Sequence, residues 1–329
     1  MPNRDNAALL DRVLERLAAN TTYADFELVV VDDGSTDGSR EILRRWRDSG
    51  RFGRFRLIER EHAGVVATLN AGLEAVSGEL VVQLDSDATV ETPGWLERMV
   101  AFFLSDERIG VVTAKVVFDW GEVHACGIEV VVPEGLHDRG ATVGEPVGRR
   151  TYHQRVLRRR EGDCAPCDSA AEVDGAIGCC MMYRRAMALE AGGYDPGFAP
   201  VWFDDLDLSL SIRRLGYKVF YLPEVRVVHW LGARTPRPAW RRAAGRLPAA
   251  TRARLTQVLG MDRPPPEHRE RLEHHYAYWR RKWGFDMLNP DIEAVRERWG
   301  ETEVCWRSNP EMRAAGERIV AAYEQRATA

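Results

Sequence analysis

The sequence predicts a doubly wound α/β fold, and three observations carry that expectation. Short apolar runs alternate with amphipathic helical segments. The apolar runs are near-continuous, as in strands covered on both faces. Two of them end in acids, Asp32-Asp33 and Asp85-Ser86-Asp87, at the strand ends beyond which such sheets bind ligands. The chain has 329 residues, 45% apolar and 29% charged, with a formal net charge of -4. That profile is globular rather than disordered, with ample length for a core and one large domain or two ordinary ones. No apolar run reaches the roughly 20 residues of a membrane-spanning helix, and Met1 to Asn6 lack a signal-peptide core. Absent a removed leader, a cytoplasmic protein is expected. Of the 46 basic residues only Lys115, Lys218 and Lys282 are lysine, a compositional skew that lowers the weight of any single arginine.

The elements follow in order. Leu9, Leu10, Val13, Leu14 and Leu17 recur at helical spacing after Asn6, a candidate N-cap. Phe26 to Val31 reads as a buried parallel strand, and Arg40 to Arg47 as a helix capped by Ser39 or Asp37. Leu57-Ile58 is a short strand, Val65 to Val76 a helix, Leu80 to Leu84 a strand and Trp95 to Leu104 a helix. Strands are expected at Val111 to Thr113 and Ile128 to Val132, before a Gly- and Arg-rich excursion from Pro133 to Ser169. Pattern resumes at Ala176 to Tyr183, with a helix from Arg184 to Ala191 stopped by Gly192-Gly193. Phe203 to Leu208 opens a helix that runs through Leu215, and strands follow at Lys218 to Leu222 and Val225 to His229. These features define a domain over 1–232. The remainder, 233–329, is an Arg-rich linker followed by a helical, aromatic extension.

Several residue groups can do chemistry. Asp85-Ser86-Asp87 projects two carboxylates from one tight turn, which suits a hard divalent cation shared with substrate phosphates; the bland reading is a solvated acidic turn. Asp204-Asp205, with Asp207 two residues on, could simply favour the start of a helix. Two adjacent acids are redundant for that purpose, however, and Trp202 and Phe203 point to a partly desolvated setting that raises a carboxylate pKa toward the range of a general base. His229 ends an apolar strand; a lone histidine is more often structural than a ligand, and its interest lies in its company. Six cysteines are present, and Cys164-Ala-Pro-Cys167 has half of a zinc spacing with no second half. Ordinary buried thiols are the simpler account, also for the adjacent Cys179 and Cys180.

In their order, these pieces resemble a known family. Val31-Asp-Asp-Gly-Ser-Thr-Asp-Gly-Ser39, Asn70-Ala-Gly-Leu, Ser77-Gly-Glu-Leu, Leu84-Asp-Ser-Asp87, Gly192-Gly-Tyr-Asp-Pro-Gly-Phe198, Trp202-Phe-Asp-Asp-Leu-Asp-Leu208, Arg213-Arg-Leu-Gly-Tyr217 and Pro223 to His229 are similar to the family 2 glycosyltransferases of GT-A fold. The second half is most similar to the branch of rhamnosyl- and galactofuranosyltransferases. The resemblance spans about residues 2 to 230, and Tyr278 to Gly284 resembles a segment that often follows. It implies a Rossmann-like mixed sheet with flanking helices and an inverting transfer of sugar from a nucleotide-diphosphate sugar to a glycan or lipid-linked hydroxyl. It further implies that Asp32 or Asp33 meets the nucleobase, that Asn70 belongs to the nucleotide-sugar site, and that Asp85 reaches the ribose or a metal-bound water. Asp87, His229 and Asp85 would hold Mg²⁺ or Mn²⁺. Asp205 would be the catalytic base, with Asp204 assisting the acceptor.

One departure stands out. The family opens with a central apolar strand, and this chain begins at what correspond to its last residues, Pro2-Asn3-Arg4. The first strand is therefore expected to be missing, leaving neighbouring backbone groups unpaired at roughly 1–3 kcal/mol each. Competing readings are a catalytically silent nucleotide-sugar-binding module and a nucleotidyltransferase of similar fold, though the latter calls for a Gly-rich basic phosphate loop that is not visible. The charge balance gives little support to nucleic-acid binding, and none is expected. The arginines from 234 to 254 read most simply as a solvated helix; the alternative is peripheral contact with anionic lipid at the inner face of the cell membrane, or with a pyrophosphate-linked acceptor.

Overall fold

The structure is a computed structural model, and it describes residues 1–129, 161–163, 167–230, 266–287 and 291–328. In chain order the first half comprises β1 (Pro2–Asn3), α1 (Ala7–Asn20), β2 (Leu28–Asp33), α2 (Ser39–Asp48), β3 (Phe55–Arg60), α3 (Val65–Ala75), β4 (Leu80–Leu84), β5 (Ala88–Val90), α4 (Trp95–Phe103), β6 (Ile109–Phe118) and β7 (Val123–Ala125). The second half adds β8 (Ala171–Glu172), β9 (Cys180–Arg184), α5 (Arg185–Glu190), α6 (Asp204–Arg214) and β10 (Lys218–His229), then α7 (Pro266–Trp283), α8 (Ile292–Trp299) and α9 (Pro310–Thr328).

The strands form a mixed α/β arrangement, with the helices on both faces. β1, β2 and β3 pair in parallel in that order, and a second sheet runs β4-β9-β6-β10-β5, with β7 on β6 and β8 on β10. β9 is antiparallel to both neighbours, whereas β10 runs parallel to β6 and antiparallel to β5. Alternation along β6 shows why the sheet can be buried twice. Val112, Ala114 and Val116 enter the core under α1, α2 and α4, while Val111 enters the opposite one with Leu69 and Leu73 of α3 and Leu208 and Ile212 of α6. The C-terminal helices extend these layers. Trp279 and Trp283 of α7 pack on Phe198 and Phe203, and Ile319 of α9 joins the first core.

Several expectations are corrected. The opening strand is present as a stub: Pro2 and Asn3 pair with Val31 and Asp32, and Val31 donates to the Met1 carbonyl at 3.0 Å. Asn6 occupies the N-cap position of α1, its backbone carbonyl accepting from Leu9 N at 3.0 Å, but its side chain does not cap the helix. Its amide instead donates to the Ser86 carbonyl, and the Asp37 carboxylate accepts from Ala7 N at 2.8 Å. The two expected strands at 218–222 and 225–229 are one strand, β10, with a register shift between Leu222 and Arg226 where Pro223 cannot donate to the ladder. Of the strand expected at 128–132, Ile128 makes only an isolated bridge to Gly175. Residues 130–132, most of the Gly- and Arg-rich excursion, Cys164, the boundary at 232/233 and the 234–254 arginines lie outside the described residues. Cys167 is disulfide-bonded rather than an ordinary thiol, Cys126 is buried with its sulfur 2.7 Å from that of Cys167, and Cys179, Cys180 and Cys305 are buried free thiols. Among the described residues, no helix is long and apolar enough to cross a membrane.

Candidate active site

The acidic turn after β4 is fixed from three sides. Asp85 N donates to the Cys179 carbonyl at 3.1 Å, extending the β4–β9 ladder by one pair, and Ala88 N donates to the Asp85 carbonyl at 3.1 Å to close the turn. β5 then pairs with β10, placing His229 opposite Ala88, and Trp230 N donates to the Asp87 carbonyl at 2.8 Å. This pairing brings residues 142 positions apart together: His229 Nε2 lies 3.1 Å from Asp87 Oδ1. On its other edge His229 Nδ1 lies 3.2 Å from His124 Nδ1 on β7, and the His124 ring stacks on Phe118 with centroids 4.2 Å apart. Asp85, Cys179 and His229 each bring one ligand-capable atom to within 4.8 Å of the others.

The second acidic group starts α6 after a strained approach. Trp202 and Phe203 have φ of 85° and 69°, a left-handed conformation unusual for bulky residues. The Phe203 ring is buried against Phe198, His275, Tyr276 and Trp279, which holds that conformation. Asp205 Oδ2 accepts from Gly178 N at 2.8 Å and its Oδ1 from Leu206 N at 2.7 Å. Burial raises its pKa, partly offset by those two N–H groups. Asp204 is raised too, by burial first and then by the charge of Asp205. Two such neighbours cannot both ionise cheaply, so the pair favours one retained proton. Asp207, expected only to favour the helix start, has a structural task. It accepts from Lys282 Nζ at 2.7 Å and Trp283 Nε1 at 2.9 Å, tying α6 to α7.

The other expected site residues are more constrained. Asp32 is fully buried and accepts from Asn3, Ser35 and Arg40. Burial opposes its ionisation, but the hydrogen bonds from Ser35, Arg40 and Asn3 outweigh it and hold the carboxyl below its ordinary range. Asp33 accepts from Ala63 N at 2.8 Å and Gly64 N at 3.0 Å and sits 2.6 Å from His62 Nδ1, whose ring is half exposed. Asn70 clamps the backbone of Tyr194, donating to its carbonyl at 2.7 Å and accepting from its N–H at 2.9 Å. It also lines an apolar pocket of about 550 Å³ with Ile58, Arg60, Val66, Pro196 and Ala199.

The family model described as "Glycosyl transferase family 2" matches residues 1–190. The chain belongs to glycosyl transferase family 2. It is 27% identical over 242 residues to the uncharacterized protein y4gI of Sinorhizobium fredii, covering 70% of this chain and 24% of that protein. It is 25% identical over 242 residues to the O-antigen biosynthesis protein RfbC of Myxococcus xanthus, covering 70% of this chain and 17% of that one. The chain thus spans no more than about a quarter of the length of these two curated relatives. In structure it is similar to the mannosyltransferase PcManGT of Pyrobaculum calidifontis, solved with GDP-Man and Mn²⁺, with a TM-score of 0.50, 22% identity, and coverage of 83% of this chain and 67% of that one. That likeness supports the expected GT-A fold.

In this family 2 member the side chains present fit a divalent cation: His229 shares one potential ligand group with Asp85 and Cys179 and lies 3.1 Å from Asp87. Sequence reasoning missed three neighbours of that site. Cys179 and His124 reach it through strand pairing and carry no local motif. Gln83 lies beside Asp205 across Gly178: a Cβ on that glycine would stand 2.6 Å from Gln83 Nε2 and 3.4 Å from Asp205 Oδ2. Its carbonyl oxygen accepts from Tyr194 OH at 2.6 Å.

Proposed function

We propose that this chain is an inverting, cation-dependent glycosyltransferase that moves a sugar from a nucleotide-diphosphate sugar to a hydroxyl of a glycan or lipid-linked acceptor. The observation that carries the reading is the adjacency of two clusters through consecutive residues. Gly178 N binds Asp205 Oδ2, and the next residue, Cys179, stands with Asp85 and His229. This adjacency supports a proton acceptor placed beside a cation-holding group.

Asp205 is the general base. Its raised pKa makes it a stronger acceptor than an ordinary aspartate, and Gly178 N fixes one of its oxygens. It takes the acceptor's hydroxyl proton as that oxygen attacks the anomeric carbon from the side opposite the leaving nucleoside diphosphate. Asp204 holds the pair's retained proton and assists the acceptor. Asp85, Asp87 and His229 would hold Mg²⁺ or Mn²⁺, with Asp85 within reach of the ribose. A cation bound there would offset negative charge on the diphosphate. Asp33, linked to the half-exposed His62, contributes to the nucleobase side, while Asp32 and Asn70 shape its walls.

The second-half motifs support the rhamnosyl- or galactofuranosyltransferase-like branch, and the name of the Myxococcus relative supports a polysaccharide acceptor. The arginines at 234–254 support peripheral contact with anionic lipid in a cytoplasmic protein. The test is to incubate the purified chain with uridine, thymidine and guanosine diphosphate sugars and Mn²⁺. Slow donor hydrolysis, accelerated by an acceptor extract, is expected. Nucleotide binding without turnover, even with acceptor, would identify a silent module, and pyrophosphate release from nucleoside triphosphates would identify a nucleotidyltransferase.

A further inference from the structure

Cys179 gives the cation site a donor of a different kind. It is 2% exposed, carries a free thiol, and its backbone is pinned opposite Asp85 by the hydrogen bond that extends the β4–β9 ladder. Directly opposed residues of a ladder keep their side chains on one face, about 4.5–5.5 Å apart at Cβ. Strand pairing thus delivers a sulfur atom beside the carboxylate that begins the Asp85-Ser86-Asp87 turn. β10 delivers His229 from the other side, and the three ligand-capable atoms lie within 4.8 Å of one another. That spacing is slightly wider than the roughly 3.5 Å edge of a coordination polyhedron with bonds of 2.0–2.3 Å, and small side-chain rotations close the difference.

We propose that Cys179 is a further protein ligand of this site, beside Asp85 and His229 and in addition to Asp87, and that its sulfur shifts the site toward Mn²⁺, Co²⁺ and Zn²⁺ at the expense of Mg²⁺. The inference rests on the glycosyl-transfer reading for the site's purpose, but not for its chemistry. Thiolate and imidazole suit borderline cations, whereas carboxylates and water alone suit Mg²⁺. On binding, the S–H bond breaks, sulfur donates its electron pair to the cation, and the proton passes to solvent; no oxidant or reductant is involved. The surrounding core supports a ligand role over an exposed reactive thiol, because Cys179 is almost wholly buried.

The test is a Co²⁺ titration of the full chain, followed by near-ultraviolet absorption, with Zn²⁺ and Mg²⁺ competition and proton release measured alongside. The wild type is expected to show a thiolate-to-cobalt charge-transfer band, with about one proton released per ion from the thiol. Cys179→Ser should lose the band and lower the preference for Zn²⁺ over Mg²⁺ by about tenfold or more, since even outer-shell partners contribute on the order of 10–100-fold. Co²⁺ binding without that band, or a band that survives in Cys179→Ser, would overturn the assignment while leaving the carboxylate–histidine site intact. Failure of the wild type to bind Co²⁺ or Mn²⁺ would overturn both. Binding of uridine and guanosine diphosphate with Mn²⁺ reports on the donor site independently, and the wild-type spectrum is informative even if the variant folds poorly.

Discussion

Gly178 N donates to Asp205 Oδ2 at 2.8 Å, and there is no room at Gly178 for a side chain. A Cβ there would lie 2.6 Å from Gln83 Nε2 and 3.3 Å from Asp205 Cβ. Gly178→Ala is therefore expected to displace Gln83 and, through the tight contact with the Asp205 Cβ, to shift Asp205 as well. A displacement near 1 Å can cost on the order of 10²-fold in rate. Initial transfer rates should fall by about that factor, while the melting temperature changes little. An unchanged rate would remove Asp205 from the reacting position.

The Asp204–Asp205 pair has a stability consequence whose sign is opposite to that of an ordinary salt-bridged acid. Burial raises the Asp204 pKa above its unfolded value. The folded state therefore binds a proton more tightly than the unfolded chain, and stability falls as pH rises from the unfolded pKa through the folded one. Asp204→Asn removes this penalty. Its melting temperature should exceed that of wild type at pH 7.5, by roughly 2–4 °C per kcal/mol relieved, and the advantage should vanish near pH 3.5. An advantage that grows on acidification would refute the assignment.

His124 offers a test of how the proposed cation site is oriented. It stands 3.2 Å from the His229 edge remote from Asp87 and is held by stacking on Phe118. His124→Phe preserves an aromatic ring but removes the nitrogen partner. Mn²⁺ affinity, followed by calorimetry, should weaken on the order of 10–100-fold, as for other outer-shell partners of ligating histidines. Equal affinity in variant and wild type would mean that His229 does not depend on this contact.

Much of the strand and helix order was legible in the sequence because apolar periodicity reports directly on burial. The run at 26–31 became β2, shifted by two residues to Leu28–Asp33, that at 80–84 became β4, that at 225–229 the end of β10, and Val65 to Val76 became a helix within one residue. The acids at 85, 87, 204 and 205 were legible because they end strands or begin a helix. What escaped was set by pairing across long separations. Cys179 faces Asp85 only because β9 runs antiparallel to β4, and His124 reaches His229 through β7 on β6. Asn6 looked like a helix cap, yet its amide goes to the Ser86 carbonyl, a contact no local pattern encodes.

The C-terminal helices were legible as helices but not as part of the site's support. Lys282 holds both Asp195 at 2.6 Å and Asp207 at 2.7 Å, and burial pushes Asp207 up to about 6 despite that cation. Lys282→Met strands a buried carboxylate and is expected to destabilise the fold by about 3–5 kcal/mol at pH 8. The loss should shrink as pH falls and Asp207 protonates, and the double variant with Asp207→Leu should recover most of it. Thermal unfolding of the four proteins checks this; a double variant no better than Lys282→Met would contradict it.

In the proposed function proton removal and donor holding fall to different carboxylates, and a paired measurement separates them. Mn²⁺-dependent binding of the donor nucleotide and sugar-transfer turnover are measured together for wild type, Asp205→Asn and Asp87→Ala. Asp205→Asn is expected to bind donor nearly as wild type does and to lose at least 10²-fold in turnover, whereas Asp87→Ala should lose the Mn²⁺-dependent binding itself. Equal loss of binding in both variants, or turnover that survives Asp205→Asn, would contradict it.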